Sequence, residues 1–164
     1  MSDTTELDQD ATDKIISKEI FEGLEDGTIC VLWSQTGWIV RKSVYQLSLG
    51  NWSLLNPEEP DDRTYPHERL WLIAAVRDRR HISVAWDPRD PGAVLTTAAE
   101  VDSLPRYTVI VSVDEKGWAS PIMRMGDRWI PLADNDDFID CTSEQLLGGW
   151  GSNGYTLHRG WDRN

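Results

Sequence analysis

The apolar positions along the chain switch between two spacings. Over Thr28-Ile-Cys-Val-Leu-Trp33 and Thr108-Val-Ile-Val-Ser-Val113, branched residues crowd into short runs that suit a pleated strand. Ahead of each run the spacing is helical. Thr97 followed by Glu100 is a capping box, so a short helix is expected from about Ala98 to Ser103, stopped by Pro105. In the earlier segment Ser17 takes the cap position, and Ile20, Phe21 and Leu24 share one side of a helix that ends before Gly27. Turns are expected at Gln35-Thr-Gly37 and Glu115-Lys-Gly117, and again at Leu49-Gly-Asn51 and Met125-Gly-Asp127. A second strand should therefore start at Trp38 or Trp118, and a third at Trp52 or Trp129.

The same order of signals occurs twice. A shift of 80 positions lays residues 15–38 on residues 95–118 without a gap: Leu24 falls on Leu104, Thr28 on Thr108, Val31 on Val111, Gly37 on Gly117 and Trp38 on Trp118. Further on, Trp52-Ser-Leu-Leu55 resembles Trp129-Ile-Pro-Leu132, and Trp86-Asp87 resembles Trp161-Asp162. Because a repeat dictates architecture, the expected fold is α+β and mainly antiparallel β, in two similar tandem halves. Each half is read as a short helix, a three-stranded meander, a polar connector, a second short helix and a final strand. The expected boundaries are a disordered acidic tail over residues 1–14, a first repeat over 15–90 and a second over 91–164.

In the second half the later helix opens at the capping box of Thr142 and Gln145, runs through Leu146 and Leu147, and should end at Gly148-Gly149. In the first, Pro66 at the opening position predicts a helix from His67 to about Arg77, with Leu70, Ile73 and Ala74 facing inward. A hairpin turning at Asp78 to Arg80 competes with it, since a short apolar run cannot be typed by period alone. The final strands are Ile82 to Trp86 and Tyr155 to His158.

The run Thr96-Thr-Ala-Ala-Glu-Val-Asp-Ser-Leu-Pro105, then a β-rich strand, Gly117-Trp118, Trp129 and Thr142-Ser-Glu-Gln-Leu-Leu147, resembles small repeated modules of uncharacterised actinobacterial and actinophage proteins. The likeness covers residues 94–158 well and 15–87 loosely. In such modules a Gly usually precedes the first strand. Gly27 matches that pattern and Tyr107 departs from it. The resemblance implies a fold unit and a mobile-element origin, and brings no catalytic residue with it.

Composition narrows the class. With 164 residues, 40% of them hydrophobic, the chain has enough apolar content for a real core and lacks the signature of a collagen-like or disulfide-scaffold protein. Apolar runs such as Leu70 to Val76 stop far short of the ~20 residues of a membrane helix, so a cytoplasmic protein without membrane contact is expected. The net charge of −12 is uneven, with nine acids and two bases in residues 1–26. That field disfavours nucleic-acid contact, which needs clustered Lys and Arg. The nearest approach to a basic patch is Arg77, Arg79, Arg80 and His81, interrupted by Asp78 and read as a turn that exposes charge to water.

Candidate chemistry is sparse. The histidines His67, His81 and His158 have no paired helical spacing, and Cys30 and Cys141 lie far apart, so no metal and no cofactor is expected. The acidic run from Asp134 to Asp140 fails as a calcium loop, with Ile139 where Gly is required and Gln145 where a bidentate Glu belongs. Cys141, ahead of a helix start, is the one candidate nucleophile, with His67 or His158 as its conceivable base. Nine tryptophans are the compositional outlier. Trp38, Trp52, Trp86, Trp118, Trp129 and Trp161 match by position between the halves and are read as structural. Trp33, Trp71 and Trp150 lack mates and are read as exposed binding contacts.

The function expected from these features is a non-catalytic interaction or assembly module with a protein partner or a second copy of itself. One alternative is a small-molecule enzyme with Cys141, His67, His81 and Asp140 in a cleft between the halves. Another is an acidic mimic of nucleic acid, which would need a rigid array of acids.

Overall fold

The computed structural model describes residues 15–37, 39–55, 64–132, 141–150 and 155–161, with the side chains of 40, 149 and 150 outside the description. The tail over 1–14, Trp38, most of both polar connectors with Asp140, and the last three residues lie beyond it. Its elements, in order, are α1 (Lys18–Glu22), β1 (Ile29–Thr36), β2 (Ile39–Ser48), β3 (Asn51–Leu54), β4 (Thr64–Pro66), α2 (His67–Trp71) continued by a π-helical turn Leu72–Arg77, and β5 (His81–Trp86). Then come β6 (Val94–Leu95), α3 (Ala98–Asp102), β7 (Val109–Val113), β8 (Ala119–Met125), β9 (Arg128–Pro131), α4 (Ser143–Gln145) with a π-helical turn Leu146–Trp150, and β10 (Thr156–Trp161).

The strands form two five-stranded sheets, ordered β4-β3-β2-β1-β5 and β6-β10-β7-β8-β9, with every described strand pair antiparallel. The protein is thus mainly antiparallel β with a few short helices, an α+β fold. The pair Val31↔Ser83 corresponds to Val111↔His158, after a shift of 80 positions in the central strand and of 75 in the last strand. Even the irregularity recurs. Ile29 faces Trp86 with Ala85 passed over, and Val109 faces Trp161 with Gly160 passed over.

Three apolar clusters arrange these elements in four layers. Alternating side chains of β1 split two ways: Ile29, Val31 and Trp33 enter a layer between the sheets with Trp86, Val109, Val111 and Trp161, while Cys30 and Leu32 face Phe21 of α1 and Leu70 of α2. On the far side Ile110, Ile122 and Leu157 pack on Val101 of α3 and on Leu146. Each central strand is therefore buried on both faces, which explains why β1 and β7 read as unbroken apolar runs. The indole N–H groups of Trp86 and Trp161, at matched positions, have no hydrogen-bond partner among the described residues.

The helices start where side chains can cap them. Ser17 accepts from the Ile20 N–H, and complete capping boxes form at Thr97 with Glu100 and at Thr142 with Gln145. Residues 67–77 are helical, which resolves the choice between helix and hairpin. Pro66 is the cap of α2 and closes β4, so it stands one position before the helix it was expected to open. The glycine pair does not stop the last helix, which tightens instead into the π-helical turn through Trp150. Before β1 the chain turns through Gly27 at φ 95°, a left-handed conformation open to glycine, and Tyr107 adopts the same region at φ 71° before β7. That conformation costs a residue with a Cβ about 1–2 kcal/mol. The Lys42 ammonium, 3.6 Å from the Tyr107 ring centroid, offsets part of it.

Candidate interaction surface

The sequence-predicted catalytic pair does not meet. Cys141 pairs through its backbone with Trp129 on the outer side of the second sheet. His67 opens α2 on the outer side of the first sheet, where its Nδ1 accepts from Trp52 Nε1 at 3.1 Å and its ring stands edge-on to Phe21. The two lie in opposite outer layers with both sheets between them. The interface between the sheets, where a cleft was anticipated, is filled by the central apolar layer. Cys30 is buried, and burial, reinforced by the Asp87 charge, pushes its thiol far above the ordinary range. Among the described residues no three His, Cys, Asp or Glu side chains converge as a metal would require.

The tryptophans sort differently from their sequence matches. Trp52, Trp129 and Trp161 are fully buried and Trp86 nearly so. Trp129 Nε1 donates to Ser143 Oγ at 3.1 Å, as Trp52 does to His67, and each acceptor is the first residue of a helix. Trp33, expected as an exposed contact, is only 3% exposed, because its place in β1 turns it between the sheets, where Nε1 donates to Ser83 Oγ at 2.8 Å. Trp71 is half-buried, its ring 5.6 Å from Phe21. Trp118, expected as structural, is 48% exposed. It precedes β8, in a turn where Asp114 Oδ1 accepts its N–H and that of Lys116 and holds it outside the sheet.

A different set of residues gathers at one end of the first sheet. The turn from Asp78 to Arg80, between the π-helical turn and β5, lies on the helix-covered face. Arg80 Nη1 reaches over that face to Ser43 Oγ on β2 at 3.0 Å. Two positions along, Arg41 points the same way by strand alternation. Asp78 sits among them: its hydrogen bond from Arg77, 2.9 Å from Nε to Oδ1, and then the charges of Arg77, Arg80 and Arg41 hold its carboxyl below the usual carboxylate range. Arg41, Arg77 and Arg79 are exposed. The adjoining helix adds apolar area, with Leu72 and Val76, one turn apart, 50% and 58% exposed. Arg41, Arg77 and Arg80 around one aspartate, with exposed Arg79 next to it in the turn and two exposed aliphatic side chains beside them, have the make-up of a recognition surface: an apolar centre with arginine at its border.

Sequence reasoning found Arg77, Arg79 and Arg80 and missed Arg41, which lies more than thirty residues away and joins them only through the β2-β1-β5 order. The second sheet carries no such group at matched positions, where the register sets Ala119 and Trp118 near the place of Arg41 and Tyr155 in that of Arg80. No described helix is long and apolar enough to cross a membrane. Comparison with protein-family models, with curated proteins and with solved structures found no match to this chain.

Proposed function

We propose that the chain is a non-catalytic interaction module that holds an acidic segment of a protein partner on the arginine-bearing end of its first sheet. The supporting observation is the convergence of Arg41, Arg77 and Arg80 on Asp78, with exposed Arg79 in the same turn and Leu72 and Val76 exposed beside them, a local excess of positive charge in a chain of net charge −12. Features shared by both sheets, such as the buried tryptophans, the caps and the matched bulges, serve the fold. That sharing supports reading the chain as two copies of one half-length module. The arginine group belongs to one half alone, which is where a binding role would add residues the fold does not need. An extended acidic segment suits it better than a duplex. The overall negative field repels a long polyanion, while a short segment stays within the ~8 Å over which local charge dominates at physiological salt.

Exposed ion pairs contribute about 0.2–1 kcal/mol each, so affinity for a simple acidic probe should be modest and salt-dependent. The test is fluorescence anisotropy of the full chain with a labelled twelve-residue Asp/Glu peptide, a neutral peptide and a single-stranded oligonucleotide of the same length. The acidic peptide should bind, and Arg41→Glu with Arg79→Glu should weaken it about tenfold or more, equivalent to ~1.4 kcal/mol. Equal binding by the double variant, or preference for the oligonucleotide, would overturn the proposal.

A further inference from the structure

Within the same chain, residues 1–13 supply what the arginine group attracts: Asp3, Glu6, Asp8, Asp10 and Asp13, with no base among them. We infer that this acidic N-terminal segment is the first occupant of the surface, folding back on Arg41, Arg77, Arg79 and Arg80 and competing with an outside partner. The inference rests on the function proposed above and adds a regulator built into the molecule.

The point of attachment leaves the arginines within the segment's reach. Ile15 pairs with Ser83 on β5, and the Ile16 N–H donates to the Ile82 carbonyl at 2.9 Å. Three residues separate Ser83 from Arg80, about 10 Å along an extended chain. Because Ile15 runs antiparallel to β5, the preceding chain leaves toward Trp86 and must reverse to meet the arginines. A reversal takes four residues. Using 11–14 for it leaves Asp10, Asp8, Glu6 and Asp3 on the returning stretch, whose ten residues span roughly 33 Å when extended. One acid is then available for each arginine. Since Asp78 already engages Arg77, the local excess available to the segment is about three charges. Tethering supplies an effective concentration of order mM, so individually weak contacts suffice for occupancy.

The test uses the 164-residue chain carrying Ser2→Cys and Cys141→Ser, with a nitroxide attached at position 2; Cys30 is buried and escapes the label. Amide signals of residues 41 and 77–81 should lose at least half their intensity at low salt, and recover in 0.5 M salt and when Asp3, Glu6, Asp8 and Asp10 are replaced by their amides. Undiminished signals would overturn the inference. So would broadening seen only when spin-labelled and isotope-labelled chains are mixed, which would mean that a second copy supplies the segment. The amide-substituted chain should also bind the acidic peptide at least threefold more tightly. If the peptide binds both chains equally at the arginines, the inference fails and the proposed function stands. If it binds neither, both fail.

Discussion

Gly160 and Ala85 occupy matched bulges where the two sheets meet, and exchanging either residue for the other should destabilise the fold, more so at Gly160. A Cβ at Gly160 would overlap the Val109 carbonyl oxygen and lie 3.3 Å from that of Ala85. Both obstacles are backbone, one in each sheet, so relief requires moving β10 from β7 or prising the sheets apart. Overpacking of this kind costs typically 1–3 kcal/mol, and fixed backbone on both sides places Gly160→Ala near the upper figure, about 3 kcal/mol. For a chain of this size that is a fall of about 6–12 °C in Tm. Ala85→Gly removes one buried methyl and loosens the chain, about 1–1.5 kcal/mol together. Thermal unfolding followed by near-ultraviolet circular dichroism of the tryptophans reads both. A Gly160→Ala protein within 2 °C of wild type, or one more stable than Ala85→Gly, would refute this packing between the sheets.

Ser143 Oγ accepts from Trp129 Nε1 and donates to Asp102 Oδ1 at 2.5 Å, so Ser143→Ala leaves a buried indole N–H unpaired and should cost about 1–3 kcal/mol in urea unfolding. In a double-mutant cycle with Trp129→Phe the two losses should couple by about 1 kcal/mol, and strict additivity would contradict the bond. Cys141 should react with a thiol reagent in the native protein while Cys30 reacts only on unfolding, and two fast thiols would contradict the burial of Cys30. The Glu100 carboxylate is held below its ordinary range by the N–H groups of Thr96 and Thr97, at 2.8 and 3.1 Å. A depressed carboxylate stabilises the fold above its unfolded value and loses that contribution as pH falls through its folded value. The Tm gap between wild type and Glu100→Gln should therefore be full at neutral pH and close below the ordinary carboxylate range, whereas a gap unchanged to about pH 2.5 would contradict it.

Local chemistry was the legible part of the sequence. Capping boxes at Thr97 and Thr142, the cap at Ser17 and the turns at Gly37, Gly50, Gly117 and Gly126 depend on neighbours a few residues away, and all appear near the expected positions. The 80-residue shift aligned β1 with β7 because each is a central strand with one face in the layer between the sheets and the other under short helices. What depended on distant partners was not legible. β4 and β6 are three and two residues long and exist because a neighbouring strand is there to pair with. Trp33 lacked a tryptophan mate at 113 and so looked surplus, yet its strand position buries it with Val113 packed against the same layer. Arg41 carried no local signal at all. Its meaning arises only when β2 and β5 flank β1.

The proposed binding role rests on the arginine group of the first sheet, and a chemical-shift map of the 164-residue chain titrated with the twelve-residue acidic peptide addresses it residue by residue. Shifts concentrated at residues 39–43 and 72–81 that fade in 0.5 M salt are expected. Shifts centred on residues 109–131 of the second sheet, or none at millimolar peptide, would contradict it.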